Sequence, residues 1–238
     1  MSDSVLQRFG SFEMMAARYQ DWQADFAESV QGGAVSFGNF DGVHLGHQAL
    51  VEALVSHARK VHRPAVAILF DPHPRFLLEK GLDLKLLTTT EDRAILLKRQ
   101  GLDEVIALQV DRQFLNLDAH SFFQRYFQFG FRPQWIVEGS NFHFGKQRTG
   151  DVHLLKKLAA DSGIQVQIVP PVTHLDSEVS SSRIREALEK GDVGLANTLL
   201  GRPYFLRGKV QAGFKRGQTL GFPTANLGEI QTVIPMAG

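Results

Sequence analysis

The 238-residue sequence predicts an α/β fold, with a parallel sheet covered by helices on both faces and followed by the start of a β-barrel. Three observations predict this fold. Unbroken apolar segments of strand length alternate with segments of helical periodicity, which is typical of a parallel sheet buried on both faces. Polar, glycine-containing motifs follow several of these strands, where such sheets bind ligands. After residue 200, short segments separated by glycine- and lysine-rich turns indicate a barrel.

The elements follow from local patterns along the chain. Residues 1–33 predict a helical lead-in that packs through Met14, Ala17, Trp22 and Phe26. The apolar runs that predict strands are residues 34–38, 64–70, 104–108, 135–137 and 164–169. The segments with helical spacing, besides the one described next, are residues 46–62, 119–129, 152–161, 182–190 and 193–199. Residues 88–91 predict a capping box for a helix that runs to about Gln100.

Composition excludes several functional classes. The formal net charge is +1, so no strong field favours nucleic acid or an anionic membrane surface. The chain has no cysteine, which excludes disulfides, thiolate catalysis and cysteine-ligated metals and fits a reducing compartment. The polar N-terminus lacks a signal-peptide core, and no apolar run approaches the ~18 residues of a membrane span. We expect a soluble cytoplasmic protein that binds neither nucleic acid nor membranes.

Residues 36–48 form the most informative motif. His44 and His47, separated by a leucine and a glycine, lie where a buried strand turns into a helix. Free backbone N–H groups and the positive end of the helix dipole make that position a phosphate site. Gly46 lets an anion approach the backbone, and the imidazoles add donors. A helix cap with histidines that satisfy local groups is the alternative; two histidines around a glycine favour the phosphate site.

Residues 179–185 contain three consecutive serines followed by Arg183 and Arg185. Helix capping accounts for one serine. Arginine near the positive helix end is unfavourable by roughly 0.3–1 kcal/mol. A bound anion removes this conflict and offers charge-assisted bonds of roughly 1.5–3 kcal/mol each. The motif therefore predicts a second phosphate site.

Two further motifs follow predicted strands. Residues 138–146 place Asn141 where it could bind a nucleotide or sugar, or else form a surface loop whose phenylalanines fill the core. Residues 70–74 contain two prolines, which make a rigid loop, but Asp71 or His73 could touch a substrate. Both interpretations stay open for each motif.

Together these motifs resemble the nucleotidyltransferase superfamily, and within it the bacterial bifunctional riboflavin kinase/FAD synthetases. The segments that carry the resemblance, in the family's order, are residues 38–44, 70–74, 141–145, 179–185 and 221–226. The family often has aspartate where this chain has Asn141. The resemblance implies a Rossmann-like nucleotidyltransferase fold, with an FMN adenylyltransferase domain over residues 1–200. Residues 201–238 would be an N-terminal fragment of a riboflavin kinase-like barrel, too short to phosphorylate riboflavin.

The resemblance implies transfer of AMP from ATP to FMN, with Mg²⁺, to give FAD and pyrophosphate by in-line displacement. The implied catalytic residues are His44, His47 and Arg185. The implied ATP-binding residues are Gly38, Phe40, Gly46, Asn141, Ser181, Ser182 and Arg183. Asp71, Pro72 and His73 would bind FMN. Thr224 and Asn226 would belong to a magnesium–ATP site of the kinase module, which acts on riboflavin in the full-length family.

Other functions share some of these residues. A nucleotidyltransferase acting on pantetheine phosphate or nicotinamide mononucleotide would use the same histidines and serines. An aminoacyl-tRNA synthetase would need a longer chain and a basic tRNA surface. A regulator that binds nucleotide or flavin without catalysis is the alternative from another class.

Overall fold

A computed structural model describes residues 17–211 and 226–236. Its main feature is one parallel sheet with the strand order β1-β4-β3-β2-β5-β6. The strands of this sheet are β1 (Arg18–Asp21), β2 (Ala34–Phe37), β3 (Ala65–Asp71), β4 (Glu104–Gln109), β5 (Trp135–Gly139) and β6 (Gln165–Val169). The order reverses at β2, so the ends of β2 and its neighbours flank the crevice in which α/β sheets bind ligands.

Helices cover both faces of the sheet, as the sequence predicts. They are α1 (Leu45–Lys60), α2 (Pro74–Leu78), α3 (Thr90–Lys98), α4 (Ala119–Phe123), α5 (Val152–Asp161), α6 (Ser181–Glu189) and α7 (Val193–Leu200). Helices α1 and α3 pack on one face through residues such as Leu54 and Leu97. On the other face, α4 and α5 pack through Phe122 and Leu155. The apolar strands are therefore buried between two helical layers.

The sequence predicts a helical lead-in over residues 1–33. This prediction is wrong for residues 17–33, the part that the structure describes. Residues 18–21 form strand β1, which pairs in parallel with β4 at the edge of the sheet, and a short 3₁₀ turn follows at Glu28–Val30. Pairing with an exposed strand edge overrides the local helical pattern. Trp22 and Phe26 do pack into the core, with Phe26 4.1 Å from the ring of Phe131. Met14 lies outside the described residues.

The capping box begins one residue later than predicted. The N-cap of α3 is Thr89, which accepts the Asp92 N–H at 3.1 Å and donates to the Asp92 carboxylate at 3.0 Å. Glu91 instead accepts a hydrogen bond from Tyr19. The three consecutive threonines give equivalent local signals, so the tertiary contacts of Thr88 and Glu91 decide which of them caps the helix.

Other elements differ from the predictions in extent. The helix predicted over residues 119–129 is α4 continued by a π-helical segment, Gln124–Phe131. The sequence analysis also did not predict the short helix α2 or the hairpin of β7 (Thr173–His174) and β8 (Ser177–Glu178).

The C-terminal segment contains the antiparallel pair β9 (Lys209–Gln211) and β10 (Asn226–Gly228), as expected for the start of a barrel. The segment also packs against the rest of the chain. Val233 is buried, and its N–H donates to the Leu86 carbonyl at 3.0 Å. Met236 donates to the Leu188 carbonyl at 3.0 Å.

Candidate functional site

A cleft of about 1230 Å³ lies beyond the carboxyl ends of β2, β3, β5 and β6. The N-terminal ends of α1 and α6 both open into it. The structure brings most of the predicted site residues to its walls. They are Gly38, Phe40, His44, Gly46, His47, His73, Asn141, Ser181, Ser182 and Arg185. Motifs far apart in sequence thus meet at one site, because parallel strands end at a common edge of the sheet.

The two histidines form a stacked pair at the start of α1. Their ring centroids lie 3.6 Å apart, with an interplanar angle of 21°. His44 is the N-cap residue, but its side chain makes no capping hydrogen bond. The Nδ1 atoms of both rings are buried without a hydrogen-bond partner in the part of the chain that the structure describes. Capping therefore does not account for this pair.

Both imidazoles are neutral at neutral pH. Burial lowers the pKa of His44 to about 4, and the positive charge of Arg202 acts in the same direction. Burial also lowers the pKa of His47 well below its ordinary value, with further contributions from His44 and Arg93. A neutral imidazole carries one N–H donor and one acceptor nitrogen. The pair can therefore donate to phosphate oxygens without first adding charge to the buried site.

Gly46 lies between the two histidines in the sequence and lines the cleft. A Cβ atom added there would lie 3.2 Å from the His44 ring. A small residue is therefore needed at this position for the ring of His44 to pack against the helix start.

The turn before α1 has a strained backbone. Phe40, Gly42 and Val43 have φ values of 48°, 82° and 44°. Left-handed backbone costs of order 1–3 kcal/mol at a non-glycine residue, and a β-branched residue such as Val43 rarely adopts it. The left-handed backbone at Gly42 strains any other side chain, and a Cβ atom there would also approach Leu87 Cδ1 to 2.7 Å, so the position favours glycine. Contacts from outside must hold this turn in place.

Asp41 connects the turn to α6. Its carboxylate accepts the N–H groups of Leu87 at 2.9 Å and Thr88 at 3.2 Å. The same carboxylate pairs with the Arg185 guanidinium at 2.8 Å, and the Asp41 carbonyl accepts a hydrogen bond from Ser181 Oγ at 2.8 Å. The starts of α1 and α6 are therefore fixed relative to each other through one residue.

The serines and arginines at the start of α6 make different contacts. Ser180 is the N-cap and accepts the Arg183 N–H at 3.3 Å. Ser182 Oγ accepts a bond from Arg185 Nη2 at 3.4 Å, at the cleft. Arg183 extends to the β7–β8 hairpin, where it donates to the His174 carbonyl at 3.0 Å. The structure therefore places Ser181, Ser182 and Arg185 at the cleft and gives the side chain of Arg183 a different set of contacts.

Of the three residues predicted to bind FMN, His73 lines the cleft. It is the N-cap of α2 and accepts the Arg75 N–H at 3.2 Å. Burial, followed by nearby arginines, lowers the pKa of His73 to about 4. Asp71 accepts a hydrogen bond from Thr90 Oγ1 at 3.2 Å, towards α3, and Pro72 is exposed.

The loop after β5 contributes to both the core and the cleft. Phe144 is buried and packs 5.6 Å from Phe122, so it fills the core. Asn141 is exposed and lines the cleft. Asn226, in contrast, lies in β10 opposite Gln211, and Thr224 lies outside the described residues.

The sequence model of the FAD synthetase family matches residues 26–183, which include five of the six strands of the sheet and every residue that lines the cleft except Arg185. The chain belongs to the FAD synthetase family. This confirms the resemblance that the motifs indicated. The sequence model of the riboflavin kinase family matches residues 200–238.

Curated relatives of this FAD synthetase family member are named bifunctional riboflavin kinase/FMN adenylyltransferase. The protein from Escherichia coli (strain K12) is 34% identical over 208 residues, which cover 87% of this chain and 66% of that protein. The protein from Bacillus subtilis (strain 168) is 36% identical over 195 residues, or 82% of this chain and 61% of that protein. The chain thus spans slightly less than two thirds of the length of these relatives.

A solved structure from Streptococcus pneumoniae, described as a macrolide-efflux protein, superposes on this FAD synthetase family member with a TM-score of 0.83. It is 33% identical, and the match covers 92% of this chain and 72% of that one. The α/β architecture is therefore shared over nearly the whole chain. In residues 17–211 and 226–236, no helix combines the length and the apolar character that crossing a membrane requires.

The sequence-based prediction missed several residues of the site. Asp41 lies within the motif of residues 36–48. Its position directly after a strand could have indicated that it belongs to the site. Glu138 interrupts an apolar strand; it is 1% exposed, and its Oε1 accepts the Phe37 N–H at 2.7 Å. Burial raises the pKa of Glu138 well above its ordinary value. Arg93 is 1% exposed and donates to the Asn39 carbonyl at 2.6 Å, a contact without any local sequence signal.

Proposed function

We propose that the cleft binds ATP and FMN and transfers AMP to FMN, which gives FAD and pyrophosphate. One observation carries this proposal: two helix starts, one with the stacked histidines and one with serines and Arg185, are joined at Asp41 across a single cleft. Two adjoining anion sites suit a triphosphate. Membership of the FAD synthetase family favours FMN as the acceptor.

The reaction needs no protein nucleophile. A phosphate oxygen of FMN attacks the α-phosphorus of ATP, the bond from that phosphorus to the oxygen bridging to the β-phosphate breaks, and pyrophosphate leaves. His44 and His47 donate hydrogen bonds to the oxygens around the α-phosphate, where charge is redistributed in the transition state. Because the rings stack and are buried, they are held in position before the substrate arrives.

The start of α6 holds the departing end of the triphosphate. Ser182 supplies a hydroxyl donor, and Arg185 supplies a positive charge. The hydroxyl proton of Ser181 goes to the Asp41 carbonyl, so Ser181 holds the helix start in place beside the phosphates. Pairing with Asp41 orients the guanidinium of Arg185, which has further N–H groups for a ligand. Gly38 and Phe40 would lie on the adenine side, and Asn141 and His73 on the walls that FMN shares with ATP.

Magnesium belongs to this proposal as the ion that accompanies ATP. Among the described residues, no group of three His, Asp or Glu side chains could hold a metal ion. The hydroxyl and imidazole groups of the cleft fit Mg²⁺ that is held by phosphate oxygens and water, as this ion prefers. The ion would neutralise phosphate charge.

The test is to incubate the purified chain with ATP, MgCl₂ and FMN, and to measure FAD and pyrophosphate by chromatography. Matched reactions contain nicotinamide mononucleotide or phosphopantetheine in place of FMN, or a chelator in place of magnesium. FAD formed only with FMN and magnesium supports the proposal. Adenylylation of another acceptor alone would indicate a different nucleotidyltransferase, and ATP binding without any product would indicate a regulator.

Riboflavin kinase activity is a separate proposal, for the full-length parent of residues 200–238. A reaction with riboflavin and ATP tests whether this chain forms FMN. The domain division at residue 200 also stays a prediction, which limited proteolysis would test, as does a cytoplasmic location.

A further inference from the structure

We propose that Arg202 is a positioning residue for adenylyl transfer, because it holds the strained turn that carries His44. Arg202 lies outside the FAD synthetase match and within the segment that matches riboflavin kinase. The phosphate site of one module would thus be completed by a residue of the next. The catalytic part of this inference rests on the proposed function.

The contacts of Arg202 are directed at the turn. Its Nη2 donates to the Gly42 carbonyl at 2.6 Å, and its Nη1 donates to the Val43 carbonyl at 3.2 Å. Nη1 also lies 3.3 Å from the carbonyl of Leu200, at the end of α7. The guanidinium therefore bridges α7 and the two residues that immediately precede the N-cap His44.

The turn depends on such contacts. Gly42 and Val43 have left-handed backbone, which Val43 in particular rarely adopts on its own. Gln48 makes a parallel bridge, with its Nε2 3.0 Å from the Val43 carbonyl and 2.8 Å from that of Leu200. Gln48 does not reach the Gly42 carbonyl, whereas Arg202 donates to it, so loss of Arg202 removes a contact that Gln48 does not replace.

The same C-terminal segment supports the turn from a second side. Val233 donates to the Leu86 carbonyl, and the next residue, Leu87, donates its N–H to the Asp41 carboxylate. Residues 202 and 233 thus contact the turn and the loop that binds it, respectively. This arrangement indicates that the segment after residue 200 shapes the cleft.

The test compares Arg202→Met and Arg202→Lys with Arg59→Met in the full chain. Arg59 is a matched control because it also makes three hydrogen bonds, with Asp103 and the Gly101 carbonyl, at the opposite end of α1. For Arg202→Met we expect kcat for FAD formation to fall by about 10- to 100-fold, the scale of a displaced catalytic group. KM for FMN should stay within about twofold, and Arg202→Lys, with fewer directed donors, should give an intermediate kcat.

A second readout does not need activity. NMR of isotope-labelled histidine reports the stacking of His44 on His47 through ring-current shifts. Arg202→Met should shift these resonances, and Arg59→Met should leave them in place. Thermal unfolding of both variants, with comparable midpoint temperatures, shows that the comparison is between folded proteins. If Arg202→Met does not fold, Arg202→Lys serves for the same comparison.

The outcomes separate this inference from the proposed function. Unchanged histidine resonances in the Arg202 variants would overturn the positioning role, whether or not the chain makes FAD. Shifted resonances with kcat lowered only as much as in Arg59→Met would also overturn it. A wild-type chain that makes no FAD, with resonances that still depend on Arg202, would refute adenylyl transfer but retain Arg202 as the residue that holds the turn.

Discussion

The carboxylate of Asp41 pairs with the guanidinium of Arg185 at 2.8 Å, with both side chains largely buried at 4% and 15% exposure. One residue follows strand β2, and the other lies in the first turns of α6. This pair fixes the distance between the histidine and serine parts of the cleft. It also explains why an arginine is tolerated near the positive end of a helix, because a carboxylate of the protein compensates its charge.

The two partners should differ in their contribution to stability. Asp41→Ala removes the acceptor for Leu87 and Thr88 as well as the ion pair, and leaves Arg185 without its buried partner. We expect the free energy of unfolding to fall by about 3–5 kcal/mol. Arg185→Ala should cost less, because Asp41 keeps its other donors. Urea unfolding of both variants and of the double variant gives the coupling energy; equal single losses would contradict this assignment.

His47→Ala should lower kcat for FAD formation by roughly 10²–10³-fold, the scale for loss of one preorganised donor. The matched control is His57→Ala on the same helix, where the ring stacks on Trp135 at 3.7 Å. This control should retain its kcat even if it unfolds at a lower temperature. Normal turnover by a folded His47→Ala variant would remove this histidine from the proposed mechanism.

Arg183 and Arg185 should have separable effects. Arg183→Met removes donors to the β7–β8 hairpin, so we expect lower thermal stability and a KM for ATP within about twofold of wild type. Arg185→Met removes a charge from the cleft and should raise the KM for ATP by about tenfold or more, as loss of a charge-assisted bond implies. Steady-state kinetics on the two variants measure both KM values and so test whether only Arg185 contributes to ATP binding. A large rise in KM for Arg183→Met would restore the ATP-binding role that the sequence predicted for it.

Glu138 should make stability depend on pH. Its folded pKa is raised above the unfolded value by burial, so its contribution is complete below the ordinary pKa of 4.5 and is lost as pH rises towards the folded pKa. The loss amounts to at most roughly 1.4 kcal/mol per pH unit.

Glu138→Gln keeps an oxygen to accept the Phe37 N–H but cannot ionise. We therefore expect this variant to become progressively more stable than wild type as pH rises above the ordinary carboxyl pKa. Urea unfolding across that range measures the difference, with exposed Glu52→Gln on α1 as the control. A constant difference across the range would show that Glu138 is not buried in its neutral form.

Strong local periodicity allowed most of the fold to be predicted. The helix predicted over residues 152–161 is α5, Val152–Asp161, and the predicted core strands all occur within one or two residues of their expected bounds. These predictions succeed because burial on both faces makes each core strand a short, unbroken apolar run, and its strand-like length separates it from the helical segments. The edge strand β1 was missed because an edge position is specified by its neighbour's free backbone groups.

The candidate site was predictable in its motifs and less so in its contacts. The spacing of Arg183 and Arg185 already indicates that the two side chains have different surroundings, because residues two apart on a helix do not share a face. The spacing therefore allows only one of them to point into the cleft, but it does not say which one.

The chain's local patterns were sufficient to predict the α/β layers, the two helix starts that meet at the cleft and the family. The tertiary structure decided that Asp41, Arg93 and Arg202 hold the turn on which the histidines are presented. Local patterns depend on residues within a few turns or one strand of each other. These supporting contacts join positions at least 46 residues apart, so they exist only once the sheet and its crossovers have brought them together.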